Sequence, residues 1–272
     1  MKQRPLVSIV IATYNREKYI KKALESVLNQ SYNPLEIIVI DDSDKNETEK
    51  IVELFHRPEI KYIKNETKLG FVRSLNKGIE MARGKYIARL DDDDYWCDEK
   101  KLEKQIDFLE KNPDYILVGS SGIIIFEADK KTISWERPTT DEDIRKQMLF
   151  KCPFIHSSVI FRKEIVKRIG GYREECKVIE DWDLWMRLGK IGKMYNFPEV
   201  FVTNVVHGDN ISIQKNMQLM KNGIKIIKIY RKNYPDYFRA LFFNYIKLLF
   251  FALPFSTKML MKIKFNKNIK RK

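Results

Sequence analysis

The run Leu6 to Thr13, LVSIVIAT, is apolar at nearly every position, and it constrains the fold more than any other stretch. A strand with one wet face alternates polar and apolar residues. A near-continuous apolar run needs cover on both faces, which is the condition of a parallel strand between layers of helices. The residues that follow comply. Tyr19 or Ile20, Ala23, Leu24, Val27 and Leu28 recur at helical spacing, and Ile37 to Ile40 returns to strand character before Asp41 and Asp42, completing a βαβ unit. The cycle repeats with a helix around Glu47 to Phe55, a strand at Ile60 to Ile63, a helix from about Gly70 to Arg83, and a strand from Tyr86 to Leu90. The expectation is an α/β fold with a mostly parallel, right-handed sheet and helices on both faces.

In such sheets ligands bind outside the carboxyl ends of the strands. The strand ending at Leu90 runs directly into four consecutive carboxylates, Asp91 to Asp94. Adjacent like charges raise one another's pKa unless positive charge sits among them. A divalent cation is the simplest source, because carboxylate oxygens suit Mg²⁺ or Mn²⁺, and Mg²⁺ completes its shell with water and substrate phosphates. The alternative is a solvated acidic loop, or a Ca²⁺ site that only stabilises a turn. The turn after the first strand, ATYNREKY, contains no glycine, so the Gly-rich cradle that holds phosphates is missing. The acidic cluster with its metal is then the candidate for neutralising phosphate.

Asp42 ends the second strand, where a carboxylate accepts a hydrogen bond from a nucleobase imide or from ribose, or caps the helix near Glu47. Arg73 and Asn76 share one helix face between Gly70 and Gly78; the guanidinium either reaches a diphosphate or lies at the surface. Glu180 and Asp181 head a Trp-rich helix. A carboxylate beside large apolar rings is tuned towards general-base work, while an ordinary N-cap is the competing reading. His207, in HGDNIS, is a loop histidine or a third metal ligand; His156 reads as structural and His56 as a surface residue.

After a polar helix at about Glu99 to Lys111, with Leu102, Ile106 and Leu109 on its apolar face, the pattern turns to mixed α+β. Strands are expected at Tyr115 to Phe126, Thr132 to Trp135, His156 to Phe161 and Lys193 to Val206, with short helices at Lys163 to Ile169 and Asp181 to Leu188. The net charge of +14 suggests nucleic acid until it is located. Residues 215–272 carry 15 Lys and Arg against the single acid Asp236, and the first 214 residues hold 36 charges of each sign. The basicity belongs to the tail, and a nucleic-acid partner is not expected. Cys97, Cys152 and Cys176 are odd in number and lack a paired spacing, which suits a reducing cytoplasm, and no signal peptide is visible.

Taken together, VSIVIATYNR at Val7 to Arg16, IIVIDDSD at Ile37 to Asp44, the spacing of Asn65, Gly70, Asn76 and Gly78, LDDDD at Leu90 to Asp94, and EDWDLWMRL at Glu180 to Leu188 resemble glycosyltransferase family 2. The resemblance runs from about residue 5 to 213. It implies the GT-A fold and an inverting enzyme that uses a nucleotide-diphosphate sugar and Mn²⁺ or Mg²⁺. By position it implies that Thr13, Tyr14 and Asn15 line the nucleoside site and that Asp42 contacts the base, with a bias towards uridine. Asp91 and Asp93 match the D-x-D pair, with Asp93 as direct metal ligand and Asp92 near the ribose. His207 matches a histidine near the metal, and Asp181 the catalytic base. The central position of the D-x-D is itself an aspartate, and Gly170-Gly171-Tyr172 leads to Arg173-Glu174 where the family often has Asp-Glu. The Q-x-x-R-W signature of processive synthases is absent, so one sugar per encounter is expected.

The resulting division is a GT-A domain at 1–214, with a nucleotide-sugar half (1–112) and an acceptor half (113–214), and a basic, apolar helical tail at 215–272. Phe238 to Phe255 is strongly apolar but interrupted by Asn244 and Lys247 and slightly short of the ~20 residues that span a bilayer. With seven basic residues and no acid from Ser256 to Lys272, it reads as an interfacial helix on anionic lipid at the cytoplasmic face of the membrane. That location suits a saccharide or lipid-linked acceptor in surface-polysaccharide assembly. A sugar-nucleotidyltransferase would want a glycine-rich turn after the first strand, and a catalytically inactive sugar- or nucleotide-binding module would have no need of both acidic centres.

Overall fold

In the computed structural model, which describes residues 3–208 and 216–252, strand β1 (Val7–Thr13) is buried at every position. It lies between β2 (Leu35–Asp41) and β4 (Tyr86–Arg89), parallel to both, and β3 (Ile60–Lys64) adds in parallel beside β2. The connecting helices cover both faces. Helix α1 (Glu17–Leu28) packs Ile20, Ala23, Leu24 and Val27 with Ile9 and Ile11 on one side. Helix α3 (Phe71–Met81) packs Val72, Leu75 and Ile79 with Val10 and Ala12 on the other. The short helix α2 (Glu47–Glu53) joins β2 to β3. Each fully buried Ile or Leu contributes about 1.5–3 kcal/mol, so removing either layer would leave β1 unsupported.

Four parallel strands present their carboxyl ends at one edge: Thr13 is in register with Asp41, Asp41 with Lys64, and Val10 with Arg89 just ahead of the acidic loop. The second half joins through an antiparallel pairing of Tyr86–Ala88 with Ile160–Arg162, and its longest pairing, residues 115–126 with 193–206, is parallel. The order is β3-β2-β1-β4-β8-β6-β9-β5, where β5 is Tyr95–Trp96, β6 Tyr115–Phe126, β8 Ile160–Arg162 and β9 Lys193–Val206; β7 (Thr132–Trp135) pairs with β6. Helix α4 (Lys101–Lys111) buries Leu102, Ile106 and Leu109 as the spacing predicts.

One expected strand is shorter than predicted. His156–Ser158 forms a 3-10 turn and only Ile160–Arg162 is strand, because the serines bond locally and across the loop instead of joining the ladder: Ser158 Oγ donates to Ile155 O (2.8 Å) and Ser157 meets the acidic loop. Helix α5 (Asp141–Gln147), capped by Thr140, was not anticipated. Helices α6 (Lys163–Arg168) and α7 (Glu180–Leu188) stand where expected.

The chain then forms α8 (Asn216–Ile229) and α9 (Tyr237–Ala252). Ile226, Ile227, Tyr230, Tyr234 and Ala240 enter the core that contains Trp182, Leu184 and Trp185 of α7. The Tyr230 hydroxyl donates to Asp183 Oδ1 (2.7 Å) and that of Tyr234 to Met186 O (2.7 Å). No helix among the described residues is long and apolar enough to cross a membrane. The end of the expected interfacial segment, Leu253 to Phe255, the basic run Ser256 to Lys272 and the boundary expected at residue 214 lie outside the described residues.

Candidate active site

The acidic loop is built from two anchors and two presented carboxylates. Arg89, buried beneath the loop, donates through Nη2 to Asp91 Oδ1 (2.5 Å) and through Nη1 to Val10 O (3.0 Å) and to Leu90 O. The Ser157 hydroxyl lies 3.0 Å from Asp91 Oδ2 and 2.5 Å from Asp94 Oδ2. Asp94 also accepts from Asn204 Nδ2 (2.6 Å) and Val205 N (3.1 Å), tying the loop to β9. Asp92 and Asp93 instead meet Arg16, whose Nη1 is 3.1 Å from Asp92 Oδ1 and 2.5 Å from Asp93 Oδ2. His207 Nε2 approaches the same Asp93 oxygen at 2.9 Å, with Tyr19 stacked on its ring.

Burial works against charge on Asp91, yet Arg89 and the neighbouring donors outweigh it and hold that carboxyl below its usual range. Burial and repulsion from Asp93 push Asp92 up to about 7, and burial and repulsion from Asp91 push Asp93 up to about 6. Asp92, Asp93 and Asp94 are thus pushed up in spite of the two arginines, and a bound cation would relieve their mutual repulsion. Asp93 and His207 converge on one point and fit a Mn²⁺ or Mg²⁺ ion that draws its other ligands from water and a diphosphate. The expected trio of Asp91, Asp93 and His207 is not assembled: among the described residues no group of three or more His, Cys, Asp or Glu side chains is placed to hold a metal. Asp91 is drawn away by Arg89 and Ser157.

Beside the loop, Thr13 is buried with its hydroxyl turned towards Asp92. Tyr14 is partly exposed, its hydroxyl 3.2 Å from Asp44 Oδ2 and the Lys68 ammonium 3.6 Å above its ring. Asn15 adopts a positive φ of 51° and donates its N–H to Ser43 Oγ (2.7 Å). Thr13, Tyr14 and Asn15 are thus brought next to the end of β2.

Asp42 accepts from Asn65 Nδ2 (2.9 Å), Leu69 N (2.8 Å) and Gly70 N (2.7 Å), which holds the entry to α3 where Gly70 has φ 88°. A carboxylate has about four acceptor positions, so one is left for a base or ribose.

Two expectations need correction. Asn76 does not face a ligand: Tyr172 N donates to its Oδ1 and its Nδ2 donates to Tyr172 O, both at 2.8 Å, and a Cβ on Gly171 would sit 2.4 Å from Asn76 Oδ1. It braces the two halves of the chain. Arg73 is exposed and pairs with Glu174 (2.7 Å), whereas Arg16 reaches the presented carboxylates Asp92 and Asp93. The signal for Arg16 was its place in the turn after β1. Both arginines sit near glycine-marked or loop-marked sites in the sequence, and only the fold shows which guanidinium turns inward.

Asp181 lies in the first turn of α7, partly open to solvent with protein packed around its other sides. Trp182 N donates to Oδ1 (2.7 Å) and the Cys152 thiol to Oδ2 (3.6 Å). Burial pushes Asp181 up to about 6; burial and then the charge of Asp181 push Glu180 up to about 8. At neutral pH Asp181 is mostly ionised and more basic than an ordinary carboxylate. The charge of Asp91 acts on both Asp181 and Glu180, so the two acidic centres share one poorly solvated region. His156 and Tyr172 pack against each other and against Trp185 of α7. The Tyr172 hydroxyl is 2.8 Å from His156 Nε2, and burial drops His156 to about 3.

Residues 8–170 match the sequence profile of glycosyl transferase family 2. The chain is 34% identical over 239 residues to an uncharacterized glycosyltransferase of Haemophilus influenzae, covering 83% of this chain and 73% of the relative. It is 29% identical to the amylovoran biosynthesis glycosyltransferase AmsE of Erwinia amylovora, covering 82% and 85%. Among solved structures, the mannosyltransferase PcManGT from Pyrobaculum calidifontis, in complex with GDP-Man and Mn²⁺, superposes with a TM-score of 0.68 at 16% identity, covering 98% of this chain and 81% of that one. That likeness is one of fold, and it agrees with the GT-A architecture expected from the motifs.

Proposed function

The chain belongs to glycosyltransferase family 2, a family of inverting nucleotide-sugar enzymes, and from this we propose that it adds one sugar per encounter to a hydroxyl of a saccharide or lipid-linked acceptor in polysaccharide assembly. What supports the reading is an acidic loop that presents Asp92 and Asp93, together with a carboxylate, Asp181, raised to about 6 on which the charge of Asp91 in that loop acts. Asp181 Oδ takes the proton of the acceptor hydroxyl as its oxygen attacks the anomeric carbon. The new C–O bond forms as the bond to the diphosphate breaks, with inversion. Asp42, Thr13, Tyr14 and Asn15 orient the nucleoside and Asp92 lies nearest its ribose, while Arg16 lies beside Asp93 where the departing diphosphate gathers charge. Asp93 and His207 would hold a Mn²⁺ or Mg²⁺ ion, which would supply further positive charge to that leaving group. The base is left to experiment between the uridine bias of the motifs and the GDP-sugar of the structural relative.

Screening UDP- and GDP-sugars for a rise in Tm with Mn²⁺ tests the donor half of this reading, because a ligand bound only by the folded state stabilises it. The expected result is a rise in wild type that largely disappears in Asp93→Ala. No rise with any nucleotide sugar would contradict it.

The α9 surface is proposed to rest on anionic lipid. Phe238, Phe242, Phe243, Ile246 and Leu249 are exposed along it, and the sequence beyond it is basic. Each cation near such a surface contributes on the order of 1 kcal/mol. Because α8 and the start of α9 belong to the core, substitution is a cleaner probe than truncation. Phe242→Glu with Leu249→Glu is expected to release the protein from phosphatidylserine vesicles, and unchanged sedimentation with them would end the idea.

A further inference from the structure

Three arginines are deeply buried among the described residues, and two of them are neutralised. Arg89 is paired with Asp91, and Arg187 with Asp183 (2.8 Å) and the carbonyls of Ile169 and Gly171. The third, Arg137, is 9% exposed and forms no ion pair with any described carboxylate. Its backbone N–H donates to Ser121 Oγ on β6 (3.1 Å), its guanidinium carbon lies 3.9 Å over the Trp135 ring, and its Nε is buried without a hydrogen-bond partner. Stacking on an aromatic face fixes the guanidinium plane and leaves its edges, where the N–H groups fork, directed elsewhere. An isolated buried cation is costly unless an anion reaches it.

The place of Arg137 says which anion. Asn196 Nδ2 donates to both Pro138 O (2.9 Å) and Pro153 O (3.1 Å), which ties the neighbour of Arg137 to the neighbour of Cys152, and the Cys152 thiol donates to Asp181 Oδ2 (3.6 Å). Arg137 is therefore tied to the segment that contacts Asp181, and not to Asp92, Asp93 and Arg16.

We propose that Arg137 receives an oxyanion carried by the acceptor, a phosphate or a carboxylate, and by that ion pair brings the acceptor hydroxyl to Asp181. The proposal rests on the reading of Asp181 as the base and goes beyond it in naming an anionic class of acceptor. An uncharged acceptor leaves the Arg137 fork unfilled, so the same residue selects against it.

The test titrates the full chain with geranyl phosphate and methyl glucuronide, which carry the two oxyanions, and with geraniol and methyl glucoside as their uncharged counterparts. Wild type is compared with Arg137→Gln and Arg137→Lys, and UDP and GDP with Mn²⁺ are titrated in parallel. The expected result is that one anion binds wild type at least tenfold tighter than its uncharged counterpart and loses at least tenfold in Arg137→Gln. Arg137→Lys is expected to fall between, with nucleotide affinity the same in all three proteins. Which anion binds identifies whether the group is a lipid phosphate or a sugar carboxylate. A readout on wild type alone is the Arg137 Nε–H signal in ¹⁵N-arginine-labelled protein, expected to move with that anion and not with nucleotide. Equal binding by Arg137→Gln, no preference for either anion, or an unmoved Nε–H signal would overturn the proposal. Failure of wild type to bind any nucleotide would overturn the glycosyltransferase reading itself, and this proposal with it.

Discussion

The loop Asp91 to Asp94 and the helix start Glu180-Asp181 are both buried acidic centres, and they are built in opposite ways. The loop is surrounded by donors: Arg89, Arg16, Ser157, Asn204 and His207 all reach it, and Asp91 is held below the usual range while burial pushes Asp92, Asp93 and Asp94 up. The helix start receives a backbone N–H and a weak thiol donor, and burial pushes both its carboxyls up. The first arrangement keeps charge in place for a cation. The second makes charge expensive and so makes its carboxylate eager for a proton. Burial pushes Asp93 and Asp181 alike up to about 6, so what separates their roles is the company each keeps: Arg16 and His207 beside Asp93, a backbone N–H and a thiol beside Asp181.

The largest expected effect that would break this contrast is at Asp181. Asp181→Asn keeps the shape and removes the proton acceptor, so kcat is expected to fall by about 10²–10⁴. Near-normal turnover in a coupled transfer assay would remove Asp181 from the chemistry. Next comes the tie between the two halves. Asn76→Ala orphans the backbone N–H and C=O of Tyr172, and at about 1–3 kcal/mol per buried group left unsatisfied it should lower stability in urea unfolding by at least that much. An unchanged midpoint would show that the halves are held otherwise.

A smaller effect is the pH profile. Asp181 is raised to about 6, its active form is the ionised one, and so kcat at saturating donor should fall as pH drops through about 6. A flat profile down to pH 5 would contradict the raised pKa. Smallest is Cys152→Ala. The thiol's hydrogen bond favours the carboxylate, so its loss should move that acid limb to higher pH, and a shift to lower pH would reverse the sign of the argument.

Much of the fold could be read from periodicity, because strands buried on two faces and helices with one apolar stripe leave patterns that few alternatives produce. The strands at Tyr115–Phe126 and Lys193–Val206 coincide with their apolar runs. What escaped was choice of partner. The sequence does not say that Arg16 turns inward while Arg73 finds Glu174, nor that Asn76 grips a backbone 96 residues away. His156–Ser158 looked like strand because its hydroxyls' partners, Ile155 O and the acidic loop, are visible only once the chain is folded. The tail hid a division of labour: Ile226 and Tyr230 serve the core, while Phe238 and Leu249 face outward. Composition averages over both.

The division of tasks between the two acidic centres is tested most directly by one measurement, the affinity of Asp93→Ala and Asp181→Asn for the donor nucleotide in the presence of Mn²⁺, titrated side by side with wild type. The expected result is that Asp181→Asn binds as wild type does and Asp93→Ala binds at least tenfold more weakly. Equal loss in both variants, or wild-type affinity in Asp93→Ala, would contradict it.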